Sequence, residues 1–308
     1  MEKALTREAY GKTLAKLGEN NHFYVMDADL AGSTQTEIFR KKYPERFIQC
    51  GIAEANMINM AAGIATTGIP VFASSYAIFT AGRCYEQIRT SVCYPKLNVK
   101  IAATHAGVTV GEDGASHQCC EDISLMRTIP GMIVISPADA TEAALATEAI
   151  LKYNGPVYLR LSRSASPVIF DENHKFEIGK GVVLADGNDI AIFSTGIVLG
   201  EVLQAAETLK QKGISAAVIN IHTIKPIDEE LIIKYAHKCK HIFTVEEHSI
   251  IGGLGSAIAE VLVENHPTQL TRIGINDIFG SSGDPNGMFK RYGLDNESIV
   301  KTILEKIK

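Results

Sequence analysis

The sequence is poor in proline, with ten in 308 residues, and has no apolar run near the 18 residues of a membrane-spanning helix. It also lacks clustered basic charge. Thirty Lys and Arg are scattered among 35 Asp and Glu, for a formal charge of −5, which leaves no electrostatic footprint for nucleic acid. No CxxC pair occurs among Cys50, Cys84, Cys93, Cys119, Cys120 and Cys239, and none stands at zinc-site spacing from His. A reduced, cytoplasmic compartment is the expectation. The opening MEKALTREAYGKTLAKL has the pattern of a charged amphipathic helix without the apolar stretch of a secretory signal. What remains, 46% hydrophobic and 21% charged, is the composition of a globular protein long enough for two domains.

Short apolar runs alternate with helical patterns along the first half. FYVMDAD (23–29), Phe47–Cys50, Val71–Ser74, Val99–Thr104, Ile133–Ser136 and Val157–Leu161 read as strands, with EANMINMAAGIATT, RCYEQIRTSV and ADATEAALATEAILK as helices between them. This alternation predicts an α/β fold with a mainly parallel sheet flanked by helices, in which ligands sit at the carboxyl ends of the strands. Periodicity is lost in SRSASPVIFDENHKFEIGKG (162–181), read as a linker, and a second α/β unit follows. Its strands are DIAIFST, AAVINI, HIFTVEE and TRIGIND, with helices near 198–212, 228–237, 254–264 and 295–307. The expected domains are therefore 1–170 and 178–308.

The most informative local feature is a stretch almost without charge. Phe47 to Gly82, 36 residues, contain one charged side chain, Glu54, where ordinary composition would give about eight. Glu54 opens an Ala, Met, Ile and Gly-rich helix expected to be buried nearly all round. Two readings are open: a desolvated carboxylate that serves as an acid, or a helix-terminal Glu stabilised by the dipole and solvated at the tip.

A second constellation, THAGVTVGEDGASHQCCED (104–122), packs two His, four acids and several glycines into 19 residues directly after a strand. His105, Asp113 and His117 there offer donors and acceptors for a polyhydroxylated substrate, unless the segment is only a solvated connection. Arg7, Arg160 and Arg163 are candidate anion contacts or surface ion-pair partners. Tyr76 and Phe79, at i and i+3, could stack on a flat heterocycle or belong to the core.

Taken together, LTREAYGKTL, DADLAGST, RFIQCGIAEANM, YAIFTAGR, HAGVTVGEDGASHQ, SPAD, LRLSR, TVEEH and INDIFGSSG resemble the C-terminal half of the transketolase family. The resemblance implies a pyrimidine-binding fold followed by a transketolase C-terminal domain, and thiamine diphosphate as cofactor. It implies that Glu54 hydrogen bonds N1′ of the aminopyrimidine and that Phe79 stacks on that ring with Tyr76 beside it. His117 is placed next to cofactor and substrate, and Asp29 is a further pocket residue. Arg7, Ser33, His105 and Arg163 match the residues that hold the sugar phosphate, and Asp113 matches a contact to a substrate hydroxyl. The implied reaction moves a two-carbon ketol unit from a ketose phosphate to an aldose phosphate.

The family's Mg²⁺ and diphosphate motif, GDG followed by Asn, has no counterpart. GEDG (111–114) lacks that form, GDPNG (283–287) lies too near the C-terminus, and Asn20 and Asn21 have no room before them. The resemblance thus implies a split enzyme: Mg²⁺ ligands on an N-terminal partner subunit, none on this chain, and a two-plus-two heterotetramer. Deoxyxylulose phosphate synthases and the beta subunits of 2-oxo acid dehydrogenases are the neighbouring alternatives, and a noncatalytic module retaining the fold is the alternative from another class.

Overall fold

The computed structural model describes residues 2–307; Met1 and Lys308, the outermost residues of the two expected domains, lie outside the described residues. Two mainly parallel sheets organise the chain. The larger has seven strands in the order Thr223–Lys225, Ile133–Ile135, Val157–Arg160, Val99–Thr104, Val71–Tyr76, Tyr24–Asp27 and Phe47–Gln49. Neighbours in it run parallel, except that Thr223–Lys225 joins the edge antiparallel to Ile133–Ile135. That edge strand comes from the second half of the chain, so the two halves share backbone hydrogen bonds.

The smaller sheet holds five strands in the order Gln269–Ile275, His241–Ser249, Ile190–Thr195, Ala216–Asn220 and Val182–Ala185, the last antiparallel at the edge. Its helices Leu199–Gln211, Glu229–Lys238, Leu254–Asn265 and Asn296–Lys306 stand where the periodicity placed them. Val182–Ala185 and Thr223–Lys225, the antiparallel edge strands of the two sheets, were not read from the sequence. The supposed linker is held rather than free. Ser166–Pro167 pairs with Lys3–Ala4, and Asp139 Oδ2 accepts from Ile169 N at 2.6 Å and Phe170 N at 2.8 Å. The same Asp139 caps the helix Ala140–Lys152 by accepting from Glu142 N at 2.8 Å through Oδ1.

Two elements differ from expectation near the centre of the molecule. The RCYEQIRTSV segment is no plain α-helix: Ile78–Gly82 and Ile88–Cys93 are π-helical around a short α-turn, with Arg83 N donating to Ile78 O and Tyr94 N to Arg89 O. Such widened turns recur at functional sites because they re-aim side chains. The helix Glu54–Ala65 buries Met57, Ile58, Ala61, Ala62 and Ala65, one stripe at helical spacing, against the core. Its other side, with Asn56, Asn59, Met60 and Gly63, is exposed, so it is not buried all round by this chain.

Candidate active site

Because five neighbouring strands of the large sheet run parallel, the segments that follow Asp27, Gln49, Tyr76, Thr104 and Arg160 emerge along one edge. Asp29 and Ser33 follow the first of these strands, Glu54 the second, Phe79 and Arg83 the third, His105 the fourth and Arg163 the fifth. Thus residues 156 positions apart, Arg7 and Arg163, face the same site.

Four rings form its floor. Tyr76 stacks on His105 with centroids 3.8 Å apart and on Phe79 at 5.7 Å, and His117 meets the Phe79 ring edge-on at 5.5 Å. Beside them Glu54, only 3% exposed, receives Arg83 Nη1 on its Oε2 at 2.7 Å, and the Arg83 guanidinium lies over the Phe79 ring at 4.7 Å. The alternatives left open by sequence are resolved in part. Glu54 is neither solvated at a helix tip nor unpaired, and Tyr76 and Phe79 lie among polar rings at the strand ends. Among the described residues no donor is bonded to Glu54 Oε1, which leaves one oxygen of a buried carboxylate available to a ligand proton.

The cationic side is built from Arg7 and Arg163. Arg7 Nη1 donates to Ser33 O at 2.5 Å, while its buried Nε has no partner among the described residues. Arg163 Nη1 donates to Val110 O and to Glu112 Oε2, the latter at 2.6 Å. Burial, with the repulsion of Arg163, lowers the pKa of Arg7. Burial and the charges of Arg7, Arg163 and His117 pull His105 down to about 3, so its ring is neutral near pH 7 and its Nδ1 pairs with Thr104 Oγ1 at 2.9 Å. Two guanidinium groups, one of them disfavoured by burial and by the charge of the other and carrying an unpartnered buried N–H, form a site suited to an anion.

His105 (φ +58°) and Asp29 (φ +65°) both occupy the left-handed region. Non-glycine residues there are held by their surroundings and are concentrated at functional sites. Asp29 N donates to Gln49 Oε1 at 2.8 Å, and its side chain is exposed. Asp113 is exposed on the turn Gly111–Asp113, where its charge acts on Arg163.

Arg160 is corrected. It is no anion contact but a buried structural cation: its Nε donates to Asp122 Oδ2 at 2.8 Å and its Nη2 to Glu247 O at 2.9 Å. Along the strand Val157–Arg160 it points into the seam between the two halves, whereas Arg163, beyond the strand end, is free to face the site. Arg83 was missed. A signal for it existed, since it is the first charged residue after Glu54 and closes the uncharged stretch. Gln118 was also missed as a tie: its Nε2 donates to Val108 O and Ser281 O, both at 2.9 Å.

The donor set fits thiamine diphosphate at its pyrimidine end: a buried carboxylate with a free oxygen, beside an aromatic face and polar rings. This arrangement on a doubly flanked parallel sheet belongs to a recognisable class. Residues 2–168 match the transketolase pyrimidine-binding domain and residues 179–299 the transketolase C-terminal domain, and the chain belongs to the transketolase family. A Methanocaldococcus jannaschii protein named for a transketolase C-terminal section is 55% identical over 306 residues, covering 98% of this chain and 96% of that one. The 6-deoxy-6-sulfo-D-fructose transketolase subunit of a Clostridium species is 40% identical over 306 residues, 99% of this chain and 95% of its own. Among solved structures, a split gene transketolase described as an inactive beta4 tetramer superposes with a TM-score of 0.91 at 47% identity, covering 98% of both chains.

Proposed function

We propose that this chain is the C-terminal subunit of a split, thiamine-diphosphate-dependent transketolase that transfers a two-carbon ketol unit from a ketose phosphate to an aldose phosphate. The observation that carries the reading is the Glu54 carboxylate, buried at the sheet edge with one oxygen held by Arg83 and the other free. The relative solved as a split gene transketolase supports a partner chain, and a two-plus-two heterotetramer with an N-terminal subunit carrying the Mg²⁺ and diphosphate ligands is the assembly proposed. Among the described residues no helix is long and apolar enough to cross a membrane. The six cysteines are free, which supports a reducing, cytoplasmic setting.

When bound, thiamine diphosphate supplies the nucleophilic carbon and the electron sink for ketol transfer. Glu54 holds the proton at N1′ of the aminopyrimidine, Arg83 fixes the carboxylate, and Phe79 with Tyr76 orients the ring. Neutral His105 donates or accepts without adding charge, and His117 stands at the mouth for the substrate hydroxyls. Arg7 and Arg163, with Ser33, take the phosphate; Asp113 takes a hydroxyl, and Asp29 lines the outer pocket.

The test is reconstitution. The chain alone should neither turn over sugar phosphates nor bind the cofactor tightly, and addition of the N-terminal subunit should produce both. Tight Mg²⁺-dependent binding by the isolated chain in calorimetry would remove the split-subunit reading.

A further inference from the structure

The loop that carries Asp113 and His117 is closed on itself and then pinned from the other half of the fold. Gly107 N donates to Cys119 O at 2.8 Å, which joins the two ends of the loop, and Ser249 N donates to Cys120 O at 2.7 Å. Between these ends Val108, Thr109 and Val110 are buried. The Thr109 N–H is satisfied by Glu247 Oε1, at 2.7 Å, on the strand His241–Ser249. Gly107, at φ +81°, lies so close that a Cβ there would stand 2.3 Å from the same Oε1. Glu247 is itself buried, its carbonyl accepts from Arg160 Nη2, and among the described residues its Oε2 has no hydrogen-bond partner. The carboxylate is thus directed at the start of the site loop, at Thr109 and beside it Val108, with the charge of Arg160 nearby.

We propose that Glu247 is a positioning residue that reaches across the seam between the two halves and sets where the 107–119 loop, with Asp113 and His117, stands. The consequence for catalysis rests on the reading of that loop as part of a transketolase site; the clamp itself does not. It gives the second half of the chain a part in the site to which it contributes no ring or cation.

Hydrogen exchange of the full chain, alone and unliganded, tests the clamp. In Glu247→Ala the peptide covering residues 107–118 should exchange about 10- to 150-fold faster, as befits loss of one hydrogen bond to a charged acceptor. Peptides of the strands 71–76 and 190–195 should keep their protection, and Glu247→Gln, whose amide oxygen can still accept, should fall between wild type and Ala. Should Glu247→Ala fail to fold, Glu247→Asp, which keeps the charge but is one methylene short, is read by the same criteria. Unchanged loop exchange overturns the clamp, and so does equal acceleration of loop and strands, which would mean that Glu247 holds the fold as a whole. With the partner subunit present, the loosened variant should lose about 10- to 100-fold in kcat, the scale of an ångström-sized misplacement, with partial rescue in Glu247→Gln. A loosened loop with normal turnover would support the clamp and count against the catalytic reading of the loop.

Discussion

Arg83 Nη1 lies 2.7 Å from Oε2 of Glu54, and these are the only two charged side chains between residues 47 and 83. The pair is asymmetric, with Glu54 3% exposed and Arg83 50% exposed, so one partner remains reachable from outside while the other is enclosed. An interaction of this kind orients a carboxylate more than it stabilises the fold. With Arg83 so exposed, its contribution to stability is about 0–1 kcal/mol.

Glu54→Gln should therefore leave folding and assembly intact, with the urea midpoint near that of the wild type, while turnover of the reconstituted enzyme falls by about 10² to 10⁴. An amide cannot share a proton with a ring nitrogen as a carboxyl group does. Near-normal turnover at saturating cofactor would leave Glu54 as a helix-terminal carboxylate only.

Arg163→Ala should raise KM for a phosphorylated acceptor by about 10- to 150-fold, the loss of one charge-assisted hydrogen bond, and affect an unphosphorylated acceptor such as glycolaldehyde much less. The structure adds a converse. Glu112 engages the same guanidinium group from the solvent side, where it would compete with a bound anion. Glu112→Gln should lower the KM for the phosphorylated acceptor by up to about fivefold, the scale of an exposed ion pair. Steady-state kinetics with both acceptors separates these effects, and equal losses on the two acceptors would place Arg163 in the fold or an interface.

Lys100 provides a pH test remote from the site. It is fully buried at the start of the strand Val99–Thr104 and donates to Tyr153 O at 2.7 Å and Gly155 O at 2.6 Å. Burial pulls its pKa down from 10.5 to about 7. Between those values the unfolded chain binds a proton that the folded chain does not, so this group makes stability rise with pH above 7 and fall as pH drops through 7. The slope reaches at most about 1.4 kcal/mol per pH unit. Urea unfolding at pH 7 to 8.5 should show this slope in the difference between wild type and Lys100→Met, in which the opposing titration of the six thiols, raised by burial in the fold, cancels.

His105 should stay neutral throughout the working range, since burial and the neighbouring cations pull it down to about 3. Nitrogen NMR of the ring at pH 5.5 should show a neutral tautomer. In Arg7→Met the ring should titrate at higher pH, because the repulsion from that guanidinium group is removed. An imidazolium at pH 5.5 in the wild type would mean that the anion site is less cationic than the geometry indicates.

Much of the fold was legible because its strands are apolar runs and its long helices are periodic: Val99–Thr104, Ile190–Thr195 and Leu254–Asn265 stand where hydrophobicity placed them. The exceptional position of Glu54 was legible as well, as a charge amid 35 uncharged neighbours. Arg160 and Arg163 show the limit. They are three residues apart in LRLSR, yet one is sealed against Asp122 and the other faces the site. Nothing local distinguishes them, because the difference is made by where the strand ends and by what the other half of the chain lays against it.

The sequence by itself thus determined the alternation of elements, the sheet edge on which the candidate residues gather and the residue types available there, all consequences of short-range periodicity and charge. Tertiary structure alone decided the pairings: Glu54 with Arg83 across 29 positions, Thr109 with Glu247 across 138, and the strand Thr223–Lys225 with the sheet of the first half. The physical reason is that a buried charge or N–H takes whatever partner the packing delivers, and packing couples residues by distance in space, on which the order of the chain is silent.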